Sequence, residues 1–281
     1  MSKELGLLLD KVREKKPLVH HITNYVTVND CANITLAVGA SPVMADDICE
    51  AADITAIADS LVINIGTLNE RTILSMIASG KAANAKGVPV VLDPVGAGAS
   101  KFRNDTAKRI IDEIKLSVLR GNISEIKFMA GLGGETKGVD ASESDMENND
   151  DAGQIAKNLA KKLGCVVVIS GAVDTISDGS EIAYVENGHA MLSGLTGTGC
   201  MCSSLIGAFC GSSPENIFTA TTAAMVCMGV AGEDAYKTIT QKSQDNRRKQ
   251  GSFHIALRDA VSSMDGEYLQ RQAKIGGVRF A

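Results

Sequence analysis

Residues 60–98 read SLVINIGTLNERTILSMIASGKAANAKGVPVVLDPVGAG. Two short runs, Ser60–Asn64 and Val88–Leu92, are apolar on both faces. Each leads straight into glycines and polar residues: Gly66 and Thr67 after the first, Asp93, Gly96 and Gly98 after the second. Buried parallel strands read this way, with ligand-facing loops at their carboxyl ends. Between them, Ile73, Leu74, Met76, Ile77, Ala82 and Ala83 recur at helical spacing over Glu70–Ala85. The stretch is a βαβ unit of ordinary length.

Outward from it the pattern repeats. Ile110, Ile111, Ile114 and Val118 predict a helix over Thr106–Leu119, Ile155, Leu159 and Leu163 another over Asp151–Leu163, and Cys165–Ile169 a strand ending at Ser170-Gly171. Thr175–Ser177 and Ile182–Val185 flank Asp178-Gly179 as a hairpin. Helical segments are expected at 201–210, 215–236 and 251–270, then an exposed C-terminal dozen residues. Residues 131–150 hold Gly131, Gly133, Gly134 and then Glu143, Asp145, Glu147 and Asp150, and read as a mobile acidic loop. No Pro/Ser-rich linker divides the chain, so a single α/β/α domain over residues 1–281, with a central, mainly parallel sheet, is the economical architecture.

Composition narrows the function. A net charge of -5 argues against a nucleic-acid surface. The chain has no Trp and 4% aromatic residues, so its core rests on aliphatic side chains and Met. Seven cysteines without a CxxC pair read as reduced thiols of a cytoplasmic protein. The amphipathic start MSKELGLLLDKVREKK is unlike a signal peptide, and no stretch has the length and dryness of a membrane span. Four histidines without HxxxH or HExxH give a zinc hydrolase no support. His20-His21 looks like a metal pair, but neighbours on a strand point to opposite faces, and packing is the better reading.

The chemistry converges on the strand ends. Residues 194–204, GLTGTGCMCSS, place Gly197 and Gly199 around Thr198 and put Cys200 at the start of an apolar helical run. Unpaired N–H groups and the dipole at such a helix start favour an anion, and Cys200 there is expected to have a lowered pKa. The plain alternative is a tight turn into a buried helix, with Cys200 as a small core residue. Asp93 and Glu125 are hard oxygen donors suited to Mg²⁺, or else a turn former before Pro94 and a solvated helix position. Arg120 suits a phosphate, or else a helix C-terminus. Met44, after Ser41-Pro42, suits covering a small heterocycle or filling core.

Ordered motifs then carry a resemblance: Ile22-Thr-Asn24-Tyr-Val-Thr-Val-Asn29, Gly39–Met44, Leu61–Thr67, Leu92–Gly98, Arg120-Gly-Asn122-Ile-Ser-Glu125, Lys137–Asp140 and Thr196–Cys200. Together the chain resembles the hydroxyethylthiazole kinases, with a ribokinase-like three-layer α/β/α fold. The resemblance implies ATP- and Mg²⁺-dependent phosphorylation of 4-methyl-5-(2-hydroxyethyl)thiazole in thiamine salvage. It implies Cys200 where relatives carry an aspartate base, with Gly197, Thr198 and Gly199 as anion hole. Met44, Gly197, Asn24 and Gly66 would bind the thiazole, Arg120, Ser170 and Asn122 the ATP, and Asp93 and Glu125 the metal. It also implies a homotrimer with active sites between subunits, in which Asn24 and Met44 face a neighbour's pocket. Other readings are a kinase for another small heterocyclic alcohol such as hydroxymethylpyrimidine, a nicotinamide-hydrate dehydratase, or a non-catalytic sensor.

Overall fold

The computed structural model describes residues 2–132, 149–241 and 249–277. Nearly all of the expected acidic loop and the Lys137–Asp140 motif lie outside the described residues. In chain order the elements are α1 (Ser2–Lys15), β1 (Leu18–Ile22), α2 (Val28–Val38), β2 (Ser41–Val43), α3 (Ala51–Ile57), β3 (Ser60–Asn64), α4 (Glu70–Lys86), β4 (Val90–Asp93) and α5 (Lys101–Glu113). There follow β5 (Val118–Asn122), α6 (Ile123–Ala130), α7 (Asn149–Leu163), β6 (Val166–Ser170), β7 (Asp174–Ser177), β8 (Ile182–Val185), α8 (Thr198–Ser212), α9 (Ile217–Gln241), α10 (Gln250–Ser263), α11 (Gly266–Gln272) and β9 (Ile275–Gly276).

The nine strands form one sheet in the order β2-β1-β3-β4-β5-β6-β7-β8-β9. Pairings from β2 through β6 are parallel, and those from β6 through β9 are antiparallel. Strand alternation divides the core in two. Val62, Val91, Val118 and Val168 face a layer with Leu5, Leu205, Phe209 and Phe253. Leu61, Ile63, Leu92, Leu119 and Ile169 face the other, with Met76, Ile110, Ile126 and Leu159. This is the three-layer α/β/α sandwich expected from the βαβ repeats.

Local chemistry places the ends of α4: Asn69 Oδ1 accepts from the Thr72 amide, and Gly87 leaves the helix with φ +71°. Three segments differ from the expectation. The helix placed over Thr106–Leu119 ends at Glu113, and Val118–Asn122 is strand β5 between β4 and β6. The apolar spacing there suits either state, and tertiary pairing decides it: Ser117 donates to Val90 O and accepts from the Val166 amide. The segment 251–270 is two helices, because Met264 turns extended and Asp265 caps a new start by accepting from the Tyr268 amide at 2.7 Å. The C-terminal residues also do more than lie exposed, since Ile275–Gly276 adds an edge strand beside β8. The 178–179 hairpin is present between β7 and β8.

Candidate active site

A cleft of about 820 Å³ opens at the carboxyl ends of β4, β5 and β6. Asp93, Arg120, Asn122, Glu125, Ser170 and the 194–200 loop line it. Its floor is the start of α8. Gly197 holds φ +90°, a left-handed conformation in which a Cβ would also lie 2.8 Å from Thr27 Cγ2. The first helical hydrogen bond runs from the Met201 amide to Gly197 O at 2.8 Å. The N–H groups of Thr198, Gly199 and Cys200 therefore precede the ladder and stay available for an anion. The Thr198 hydroxyl donates to Leu192 O and Leu195 O, so its part in the cradle is its backbone. A Cβ on Gly199 would sit 2.7 Å from Arg120 Nη1, so glycine here lets the guanidinium reach the helix start.

Arg120 is aimed by its neighbours. Nη2 donates to Ser170 Oγ at 2.9 Å, Ser170 donates on to Gly121 O at 3.2 Å, and Nη1 lies 3.8 Å from Asp93 Oδ2. Asp93 is buried, and its Oδ2 accepts from Asn64 Nδ2 at 3.0 Å and Ser203 Oγ at 2.8 Å. Its Oδ1 is buried with no hydrogen-bond partner among the described residues. Burial pushes the Asp93 carboxyl above the usual range, although Arg120 and the two donors oppose this. Glu125 is no solvated helix position. It forms a capping box with Asn122 at the start of α6, and its second oxygen accepts from the Gly96 amide at 2.8 Å. Burial, then the charge of Asp93, raises Glu125 to about 7. Asn122 Oδ1 accepts from the Glu125 amide, so that oxygen caps the helix.

Cys200 departs from expectation. Burial, then Asp93, raises its pKa where the helix start was expected to lower it. Asn24 Nδ2 and Asn64 Nδ2 each lie 3.3 Å from its sulfur as donors. Asn24, in the turn after β1, is buried and meets Cys200 within the one chain. Gly66 joins the same cluster, its amide donating to Asn64 Oδ1 at 2.9 Å. Met44 does not: it follows β2, at the far edge of the sheet, and takes no part in lining the cleft. His20 is a packed residue, bonded to Thr55 Oγ1 and Ala45 O.

Motif reading missed Ser203 and Asp174. Ser203 looks like one more small residue of an apolar helix, yet its hydroxyl reaches Asp93. Asp174 lines the cleft, accepts from the Gly171 amide at 3.0 Å, and is raised to about 7 by burial. An acidic residue just after a Ser-Gly strand end was the available signal.

A hard cation would find two carboxylates here: Asp93 keeps a buried oxygen without a partner among the described residues, and Glu125 is a second buried carboxylate lining the same cleft. Two carboxylates with the remaining positions left to phosphate and water is how Mg²⁺ is usually held. A cleft at parallel strand ends, with a glycine-started helix facing an arginine and two buried carboxylates, has the layout of a ribokinase-like phosphotransferase. Solved structures agree on the fold: a ribokinase-like superfamily protein from Enterococcus faecalis superposes with a TM-score of 0.63 at 14% identity, over 97% of this chain and 95% of the other. Residues 9–267 match the Hydroxyethylthiazole kinase family, and the chain belongs to that family. It is 59% identical to a hydroxyethylthiazole kinase of Clostridium beijerinckii over 98% of both chains. It is 57% identical to one of Ruminiclostridium cellulolyticum, over 99% of this chain and 98% of the other. A solved hydroxyethylthiazole kinase structure from Pyrococcus horikoshii superposes with a TM-score of 0.87 at 38% identity, covering 99% of this chain and all of the other.

Proposed function

We propose that the protein transfers the γ-phosphoryl group of ATP to the primary hydroxyl of 4-methyl-5-(2-hydroxyethyl)thiazole, in thiamine salvage. The observation that carries this reading is the α8 start: three free N–H groups beside Arg120, on the floor of a cleft lined by Asp93 and Glu125. Phosphoryl transfer asks for positioning and charge neutralisation, and these groups supply both. The Thr198–Cys200 amides hold the transferring group. Arg120, steadied by Ser170, meets the nucleotide phosphates. Magnesium, when bound through Asp93 and Glu125, neutralises phosphate charge. Cys200, a neutral thiol between two asparagine amides, orients the acceptor hydroxyl. In a loose transition state that hydroxyl need not lose its proton early.

The acceptor side needs a second subunit in this reading. Met44 directly follows the edge strand β2, and Tyr25, Val26 and Val28, which follow β1, expose apolar surface, Tyr25 to 78%. In a homotrimer these residues meet a neighbour, and Met44 closes the neighbour's thiazole pocket. The protein acts in the cytoplasm as a single kinase domain; no helix among the described residues has the length and apolarity to cross a membrane. A dehydratase reading is disfavoured by the thiol at the position where those relatives keep an aspartate.

The test is a coupled ADP-release assay with Mg-ATP, comparing hydroxyethylthiazole, hydroxymethylpyrimidine and no acceptor. Thiazole-dependent ADP, with the phosphorylated thiazole found by mass spectrometry, is expected. Release with the pyrimidine alone would move the substrate, and no acceptor-dependent release from folded protein would refute the kinase.

A further inference from the structure

Arg103 stands in the first turn of α5, in Lys101-Phe-Arg103-Asn104, a stretch that no motif reading used. Its guanidinium donates to three main-chain carbonyls. Nη1 reaches Ile65 O at 2.7 Å and Val95 O at 2.6 Å, and Nη2 reaches Gly66 O at 2.7 Å. Ile65 and Gly66 belong to the loop leaving β3, and Val95 to the loop leaving β4. Donors carrying a full charge make stronger bonds than neutral ones, and only a planar, many-donor fork spans carbonyls from two loops at once. The local backbone is fitted to it. Gly96 has φ +72°, and a Cβ there would lie 3.3 Å from Arg103 Cδ and Nε. The next residue, Asn104, accepts from the Gly98 amide at 2.7 Å and fastens the same β4 loop.

Each loop carries one half of the site. On the β3 side the Gly66 amide donates to Asn64 Oδ1, and the Gly66 Cα packs so close to Asn24 that a Cβ would stand 3.0 Å from Asn24 Cβ. Those two asparagines donate onto Cys200 Sγ. On the β4 side the Gly96 amide donates to Glu125 Oε1. A tilt of either loop would move the acceptor-orienting thiol relative to the phosphate-side carboxylates. We infer that Arg103 is a positioning residue for phosphoryl transfer, locking the acceptor-side loop to the phosphate-side loop. The inference rests on the kinase reading above. Arg103 acts through the two loops, so its loss should disturb alignment in the transition state more than the binding of either substrate.

The experiment compares Arg103→Met and Arg103→Lys with the wild-type enzyme. It measures kcat, KM for hydroxyethylthiazole and Mg-ATP, calorimetric binding of the non-hydrolysable analogue AMP-PNP, and melting temperature. A misplacement of about 1 Å is enough to lower turnover about 100-fold. Arg103→Met is expected to lose about that much kcat, with both KM values and the AMP-PNP Kd within about threefold of wild type. Arg103→Lys, which keeps the charge without the fork, should recover only part of the loss and stay about tenfold below wild type in kcat. A folded Arg103→Met enzyme with kcat within about threefold of wild type would overturn the inference. So would weakened binding of both substrates at unchanged kcat. If Arg103→Met does not fold, Arg103→Lys decides, and wild-type turnover in it would equally overturn the inference. A wild-type enzyme without thiazole-dependent turnover fails the kinase reading itself, a result readable without any variant.

Discussion

The two sides of the site are built differently. On the side proposed to meet phosphate, Asp93, Glu125 and Arg120 are held within one chain by Asn64, Ser203, Gly96, Asn122 and Ser170. The acceptor side reaches only as far as Asn24, Asn64, Gly66 and Cys200, while Met44 stands off at the sheet edge. Backbone amides and buried carboxylates must be fixed before the reaction to lower its barrier, which favours the rigid interior of one subunit. Recognition of a small apolar ring asks only for a cover, which a neighbouring surface can supply.

The sharpest way to break this contrast is at the cradle. Gly197→Val forces a side chain onto a left-handed backbone against Thr27, and Gly199→Val pushes on Arg120. Each should lower kcat on the order of 10³-fold in initial-rate assays; near-normal turnover in both would refute the cradle. Asp93→Asn and Glu125→Gln come next. Each should lower kcat about 10²-fold and weaken Mn²⁺ binding measured by electron paramagnetic resonance, since each removes one hard anionic donor. The acceptor side should be milder. Met44→Ala should raise KM for the thiazole alcohol about tenfold and leave KM for ATP alone. Cys200→Ser should keep kcat within about tenfold, because a thiol already held neutral contributes orientation more than basicity.

The smallest effect concerns pH and stability. Glu125 titrates at about 7 in the folded protein against an ordinary value of 4.5. Between those values the folded state binds more protons than the unfolded one, so this group's contribution to stability falls as pH rises through the window and stays low above it. Thermal melts of ligand-free protein at pH 5 and pH 8 should show Glu125→Gln gaining a few degrees over wild type at pH 8 relative to pH 5. An identical pH dependence in both proteins would mean Glu125 is not held protonated.

How much of this was legible beforehand follows from the range of each interaction. The strands at 60–64 and 166–170 show as short apolar runs, and the glycines at 197 and 199 mark the cradle through the chain's own punctuation. The β5 strand was hidden because Ile110, Ile111, Ile114 and Val118 suit a helix until β4 and β6 are there to pair with it. Ser203 and Arg103 act through partners 110 and 38 residues away, which no local spacing encodes. The Cys200 pKa went wrong for a similar reason: the helix start is visible in sequence, but the burial and the neighbouring Asp93 that outweigh it are not.

The proposed contrast between a phosphate side built in one chain and an acceptor side shared with a neighbour is tested most directly by mixing two crippled enzymes. Gly199→Val subunits lack a working cradle but keep Met44. Met44→Glu subunits keep the cradle but spoil the cover. The two are unfolded together, refolded at equal concentrations and assayed with saturating ATP. If Met44 serves a neighbour, random assembly regenerates about one quarter of the sites with both parts intact, and activity should rise far above either parent. Activity no higher than the mean of the two parents, in assembled protein of confirmed mixed composition, would contradict a shared site.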